Sequence, residues 1–374
     1  MALQTRYVDK ATAAPGGTGA IGDKFKFLYE ATSDIAADGG ANHFKVWVKA
    51  FSDAYGILAA EADDADHDGA AGATPIYLDQ SSPAVTTPNV FEGYHTDPGD
   101  GGIVIVDCNA QGFDYGLDFS PVGLSTYVIF RNFNFVNAAS VGIYGNTSDK
   151  SHFINCRVYN SGSHGIQVDN ACNFVNCLID NNGGNGADVT NTCNFIACII
   201  RNNTAHGISS DNQVCVYCTA YGNGDIDFDT NATSTCTWIG NTVDGNAKDH
   251  IGIFNTNAIA YQAIAINNII TDCTIGLDHD SGPSEMLIEM NNLFFDNTTN
   301  IGDWTDTDAS PAAGVAGTGV GDRADVHGDP DFDGAADMNI GVDSLARKKA
   351  IDSRFAKAFW DSYNAGAGAN PPTP

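Results

Sequence analysis

Aspartates recur in this chain at positions that a repeat would bring to one surface: Asp169, Asp188, Asp211, Asp227 and Asp229, interleaved with Gln167 and Ser209. Rows of carboxylates can hold a divalent cation, or work in pairs as proton donor and acceptor. The spacing predicts Asp188 and Asp227 in one column, two repeats apart, with Asp169, Asp211 and Asp229 in the next. A second row, Arg157, Tyr159, Asp180, Arg201, Tyr221 and Asp244, mixes cations, phenols and carboxylates. If the chain is an enzyme, the candidate catalytic set is Asp188, Arg201, His206 and Asp227, with Arg201 or His206 as the base. Two loops read DxDxDG: Asp64, Asp66 and Asp68 before Gly69, and Asp329, Asp331 and Asp333 before Gly334. Three carboxylates around a glycine turn suit calcium. The twelfth position holds Pro75 or Ile340 instead of the usual Glu, so the ion would need other ligands, such as Asp337 in the second loop.

The elements that carry these residues are legible as copies. HFINCRVYNSGSHGIQVDN begins at His152, and near-copies begin at Asn173 and Asn194, a step of 21 residues. A period this short with strand-like alternation is one rung of a solenoid. One inward column runs Phe133, Cys156, Cys177, Cys198, Cys218, Asn241, Asn268 and Asn292, which predicts eight rungs. Two residues on, Phe135, Val158, Ile179, Ile200, Ala220, Val243, Ile270 and Phe294 supply the same inward face. Residues between and beyond them point outward, including Arg157, Leu178, Ile199 and Thr219. Turns follow at Asn137, Asn160, Asn181, Asn202, Gly222, Gly245, Asp272 and Asp296, residue types that tolerate left-handed backbone. A further strand opens near Gly165, Gly186 and Gly207, with Val168, Val189 and Ser210 facing in.

This pattern resembles the right-handed parallel β-helix of the pectate-lyase-like superfamily over most of the chain. Tyr7-Val8-Asp9 and the segment Lys24 to Asp38 look like its entry strand and N-terminal capping helix, with Phe25, Leu28 and Ile35 covering the first coil's open edge. Phe91 to Tyr94 with Asp97 to Gly102 is similar to its "GY…PGDGG" rung, and Asp329 to Phe332 with Ala350-Ile351-Asp352 to its terminal coil. The expected fold is all-β: a right-handed parallel β-helix with coils of about 20–27 residues and a short N-terminal capping helix. One continuous domain is expected, with entry strand and cap over 1–60, the β-helix over 61–300, and a terminal coil and tail over 301–374. The superfamily holds lyases, hydrolases, viral spikes and structural members, so function does not come with the fold.

The chain has 374 residues, 43% hydrophobic and 17% charged, enough for a continuous core. A formal charge of −29 opposes nucleic-acid and anionic-membrane partners. The ten cysteines read as reduced core residues, because four share one inward column and Cys172 and Cys193 another. The N-terminus shows no apolar signal region, which suggests cytoplasmic synthesis.

A lyase would use the acidic strip to hold calcium beside a uronate, and a hydrolase would pair two carboxylates. The polygalacturonase motifs are missing, and His164 and His206 occupy one turn column with Asn185 between them. The outward residues therefore read first as solvated surface. The preferred reading is a structural or surface-recognition component of a virus particle. By analogy with phage β-helices this is a bacteriophage head-decoration or accessory tail protein on the virion exterior. Its partners are other virion proteins, further copies of the chain and a polysaccharide. The alternative is an extracellular polysaccharide lyase or glycoside hydrolase. A third is a noncatalytic carbohydrate-binding module using Tyr159, Tyr221 and the acidic strip. Leu178 and Ile199, outward on successive rungs, are the candidate partner surface.

Overall fold

The computed structural model describes residues 3–11, 13, 17–38, 42–51, 54–55, 74–78, 88–109, 112–119, 127–145, 150–169, 171–230, 236–245, 251–255, 262–279, 286–290, 292–301, 326–327, 332–334 and 337–340. Three parallel sheets wrap these residues into a β-helix. Among the described residues they contain eleven, ten and nine strands, and a separate two-stranded antiparallel ribbon joins Phe332–Gly334 to Asp337–Ile340. A typical coil places His152–Ile154 in the first sheet, Arg157–Tyr159 in the second and Ile166–Val168 in the third. The second sheet extends beyond the eight expected rungs, with Val104–Asp107 ahead of them and Val326–His327 after them.

The core follows from side chains repeating in register. Phe91, Phe130, Phe153, Phe174 and Phe195 form one inward stack, with ring centroids 4.8, 5.9, 5.1 and 5.0 Å apart. The two inward columns expected in the second sheet are buried throughout. All ten cysteines are buried free thiols, and burial pushes those of Cys177, Cys215 and Cys218 well up. From Asn241 onward amides replace thiols: Asn268 donates to the Trp238 carbonyl and to Asn292 Oδ1, both at 3.0 Å, while its own Oδ1 accepts from the Asn241 backbone N–H. A buried amide is tolerable because each of these groups has a partner.

Left-handed residues make the corners. Asn137, Asn160, Asn181 and Asn202 have φ of 55–59°, and Asp272 and Asp296 adopt the same region. Asn160 Nδ2 donates to Asn137 Oδ1 at 3.3 Å, and Asn181 continues the ladder to Asn160. Where the third sheet opens, the chain passes so close to itself that a Cβ on Gly186 would lie 2.5 Å from the Gly207 carbonyl oxygen.

The entry strand is Leu3–Val8, parallel to His43–Lys49, and the helix is Leu28–Ala37. Phe25, Leu28 and Ile35 are buried, as expected of the cap. Glu30 accepts the Lys26 and Phe27 backbone N–H groups at 2.7 and 2.9 Å, satisfying donors that the start of a helix leaves open. Among the described residues no helix is long and apolar enough to cross a membrane.

Candidate functional site

The third sheet's outward column reads Asp118, Tyr144, Gln167, Asp188, Ser209, Asp229 and Phe254. This corrects the expected columns. Asp229, not Asp227, lies two rungs from Asp188. Asp227 takes the place of the opening glycines, since the Ile208 N–H donates to its carbonyl as the Ala187 N–H does to that of Gly207. Its side chain is fully buried and accepts Asn223 Nδ2 at 2.6 Å, so Asp227 is removed from the candidate catalytic set. Asp169, Thr190 and Asp211 form a neighbouring row, joined where Thr190 Oγ1 donates to Asp169 at 3.0 Å. The step of 20 residues that carries Asn202 to Gly222 also carries Gly207 to Asp227 and Ser209 to Asp229. Applied consistently, that arithmetic was the signal for the true register.

Two histidines flank this column in equivalent settings. His164 Nδ1 accepts the Asn185 backbone N–H at 3.1 Å, and His206 Nδ1 accepts that of Ile226 at 3.3 Å. With Nδ1 an acceptor, the neutral ring carries its proton on Nε2. His164 Nε2 lies 3.9 Å from Asp188 Oδ2, and His206 Nε2 lies 3.9 Å from Asp229 Oδ2. Asp225, on the far side of His206, places Oδ2 3.7 Å from Nδ1. In the sequence His206 is a candidate base with no partner assigned, and His164 shares its turn column.

The carboxylates differ in environment. Burial raises the Asp229 carboxyl above its ordinary range, and Asp225 adds to this; His206 and the Ser209 hydroxyl, 3.2 Å away, oppose it. Asp211 is raised by burial and then by Asp188. The Asp188 side chain is more open, at 39% exposure against 7% for Asp229. One end of the strip is aromatic, with the Tyr115 and Tyr144 rings stacked 4.6 Å apart. The arrangement presents one buried carboxyl, whose surroundings favour its protonated form, and one open carboxyl along a shared line. That is a chemistry of proton donation at one point and water activation at another.

Arg201 belongs elsewhere. In the second sheet its guanidinium holds Asp180 through two bonds of 3.2 Å and donates to the Tyr221 hydroxyl at 2.8 Å. Asp180 also accepts Arg157 at 2.8 Å, and the Arg157 guanidinium lies 4.0 Å from the Tyr159 ring centroid. Asp180 thus faces outward but is buried under its two arginines, which corrects its reading as a solvated group. Arg201 is committed to this network and does not serve the strip as a base. Leu178 and Ile199 are adjacent in register, with Ile199 40% exposed. Asp64, Asp66 and Asp68 lie outside the described residues, as do Asp329 and Asp331. Among the described residues no group of three or more His, Cys, Asp or Glu is arranged to hold a metal ion.

Comparison with known proteins agrees with this architecture. The model of the right handed beta helix region family matches residues 72–216 and 141–293, together more than half of the chain. The chain belongs to that family. This β-helix is similar to the solved structure of a rhamnogalacturonan lyase, with 11% identity over 83% of this chain and 85% of that one, and a TM-score of 0.57. It also matches a pectate lyase, with 13% identity over 89% and 84% of the two chains and a TM-score of 0.47. The A-module of a mannuronan C-5 epimerase from Azotobacter vinelandii matches with 13% identity over 81% and 94%, and a TM-score of 0.44. At these identities the likeness is one of fold alone. Among curated proteins none matches the sequence.

Proposed function

We propose that this β-helix hydrolyses glycosidic bonds in a polysaccharide laid along the outer face of the third sheet. The observation that carries the reading is the pairing of Asp229, whose carboxyl pKa burial raises, with the open Asp188 two rungs away on the same column. Two rungs at about 4.8 Å put the two Cα atoms roughly 9–10 Å apart. From there the carboxyl groups can reach the separation of about 6.5–9.5 Å used by inverting glycosidases. In the proposed step Asp229 gives its proton to the glycosidic oxygen. Asp188 takes a proton from water as the water oxygen bonds to the anomeric carbon, and the bond to the leaving sugar breaks. His206 beside Asp229 is a positioning residue that stabilises its charge after transfer. The rhamnogalacturonan lyase supplies a polysaccharide precedent for the fold and none for these residues. Elimination fits less well, because Arg201 is bound to Asp180 and Tyr221 and leaves the strip without that base.

The test is a reducing-sugar assay over neutral and acidic polysaccharides, run beside an assay for unsaturated products. Turnover should appear in the first, and Asp188→Asn and Asp229→Asn should each lower it by about 10²-fold or more. Turnover untouched by either substitution, or unsaturated products alone, would defeat the proposal. A second reading, an assembled component of a virus particle, is favoured by the charge-free outward residues of the first sheet between His152 and Ile266, which suit protein contact. Co-purification with particles at a fixed copy number is its measurement.

A further inference from the structure

The outward residues of the first sheet form an unbroken aliphatic row. Ile154 pairs with Val175, Val175 with Ile196, Ile196 with Val216, Val216 with Ile239 and Ile239 with Ile266, one residue per rung, and each is partly exposed. Beside it runs a second outward column, His152, Asn173, Asn194, Val214, Thr237 and Ile264, in which Asn194 Nδ2 donates to Asn173 Oδ1 at 2.7 Å. Across these six strands neither column contains Asp, Glu, Lys or Arg. Burial and the nearby Arg131 lower the pKa of His152, which favours its neutral form. Beyond the corner, whose residues include the exposed Asn155 and Asn176, Leu178 and Ile199 face outward on the second sheet.

A chain with 46 acidic and 17 basic residues carries aspartates along the outward column of its third sheet and an Arg157–Asp180–Arg201 network on its second, while these two columns carry no charge. A basic partner would be drawn to the acidic third sheet. A partner with the same charge of −29 can approach only where neither surface carries charge. We propose that the outer face of the first sheet is the contact surface for a second copy of this chain, paired about a two-fold axis that lays the two aliphatic rows against each other. A two-fold contact uses the same patch on both copies, and a straight, evenly spaced row meets itself without a matching pocket. The patch spans five steps of roughly 4.8 Å, about 24 Å, and covers a few hundred Å². A standard interface buries about 800 Å² per partner, so a patch of this size makes a weak, reversible pair. The proposal is independent of the hydrolytic reading.

Sedimentation of the full chain over a series from about 1 to several hundred micromolar tests it. The expected result is a monomer that converts to dimer, with association strengthened by added salt because screening weakens repulsion between the acidic remainders. Ile196→Glu and Val216→Glu should each weaken association at least tenfold while leaving the thermal melt of the dilute protein near that of wild type. A wild-type monomer throughout the series would overturn the proposal, as would association that salt weakens, or folded variants that associate like wild type. If either variant fails to fold, the wild-type concentration and salt series decides by itself.

Discussion

Asp100 and Asp229 show how surroundings set opposite titrations. The Asp100 carboxylate accepts the backbone N–H groups of His95 and Thr96, each at 2.6 Å, of Asp97 at 3.0 Å and of Gly102 at 3.3 Å, which hold its pKa well below the usual range. Its folded pKa lies below its unfolded one. The stability it contributes is therefore complete above the ordinary value of 3.8 and is lost as pH falls through the window beneath it. Asp229 is the reverse. Its raised carboxyl binds a proton more firmly folded than unfolded, so stability falls as pH climbs from 3.8 through its folded value. Urea melts from pH 2 to 7 should show Asp100→Asn flattening the acid limb and Asp229→Asn removing part of the loss toward neutrality. Parallel curves for wild type and both variants would refute the assignment. A destabilised carboxyl is a common cost of keeping a proton donor where chemistry needs one.

At the scale of elements, registration matters more than any single strand of three residues. The buried amide column illustrates this: Asn268→Ala would remove the partners of the Asn241 N–H and of the Trp238 carbonyl at once, and leave Asn241 Nδ2 with the Cys215 carbonyl alone. We expect a loss of about 2–4 kcal/mol, because buried polar groups left unpaired pay their full desolvation. Chemical denaturation measures it, and a loss below 1 kcal/mol would mean that water replaces the amide. Such columns were legible in the sequence because core packing and left-handed corners restrict residue type, so Cys156, Cys177 and Cys198 or Asn160, Asn181 and Asn202 recur visibly. Outward residues are freer in type, so residue identity alone misplaces them: Asp227 resembles Asp188 as an aspartate near a strand start, yet it occupies a glycine's place. The aliphatic row is written in the third residue of each copy, Ile154, Val175 and Ile196, but alternation counted from the inward phenylalanines and cysteines marks only the core.

For the whole molecule, stacked rungs make stability additive along one axis, since each coil touches only its neighbours. The Leu28–Ala37 helix closes one end. Hydrogen exchange should therefore be slowest in central strands such as Ile208–Ser210, paired on both sides, and at least tenfold faster in Leu3–Val8, at the edge of the first sheet. Uniform protection along the axis would show global unfolding in place of fraying. The same additivity bears on the site, because Asp188 and Asp229 are placed by neighbouring rungs and not by the ends. Trimming the far end should loosen it little.

The bond that holds each flanking imidazole is also made by an amide. His164 Nδ1 accepts the Asn185 backbone N–H, Asn185 Oδ1 accepts the His206 backbone N–H at 3.2 Å, and His206 Nδ1 accepts the Ile226 backbone N–H. Histidine and asparagine are thus interchangeable plugs in one socket: either completes the scaffold, and only one carries a titratable ring. A lineage can gain or lose a proton carrier on any coil of this column without rebuilding the coil.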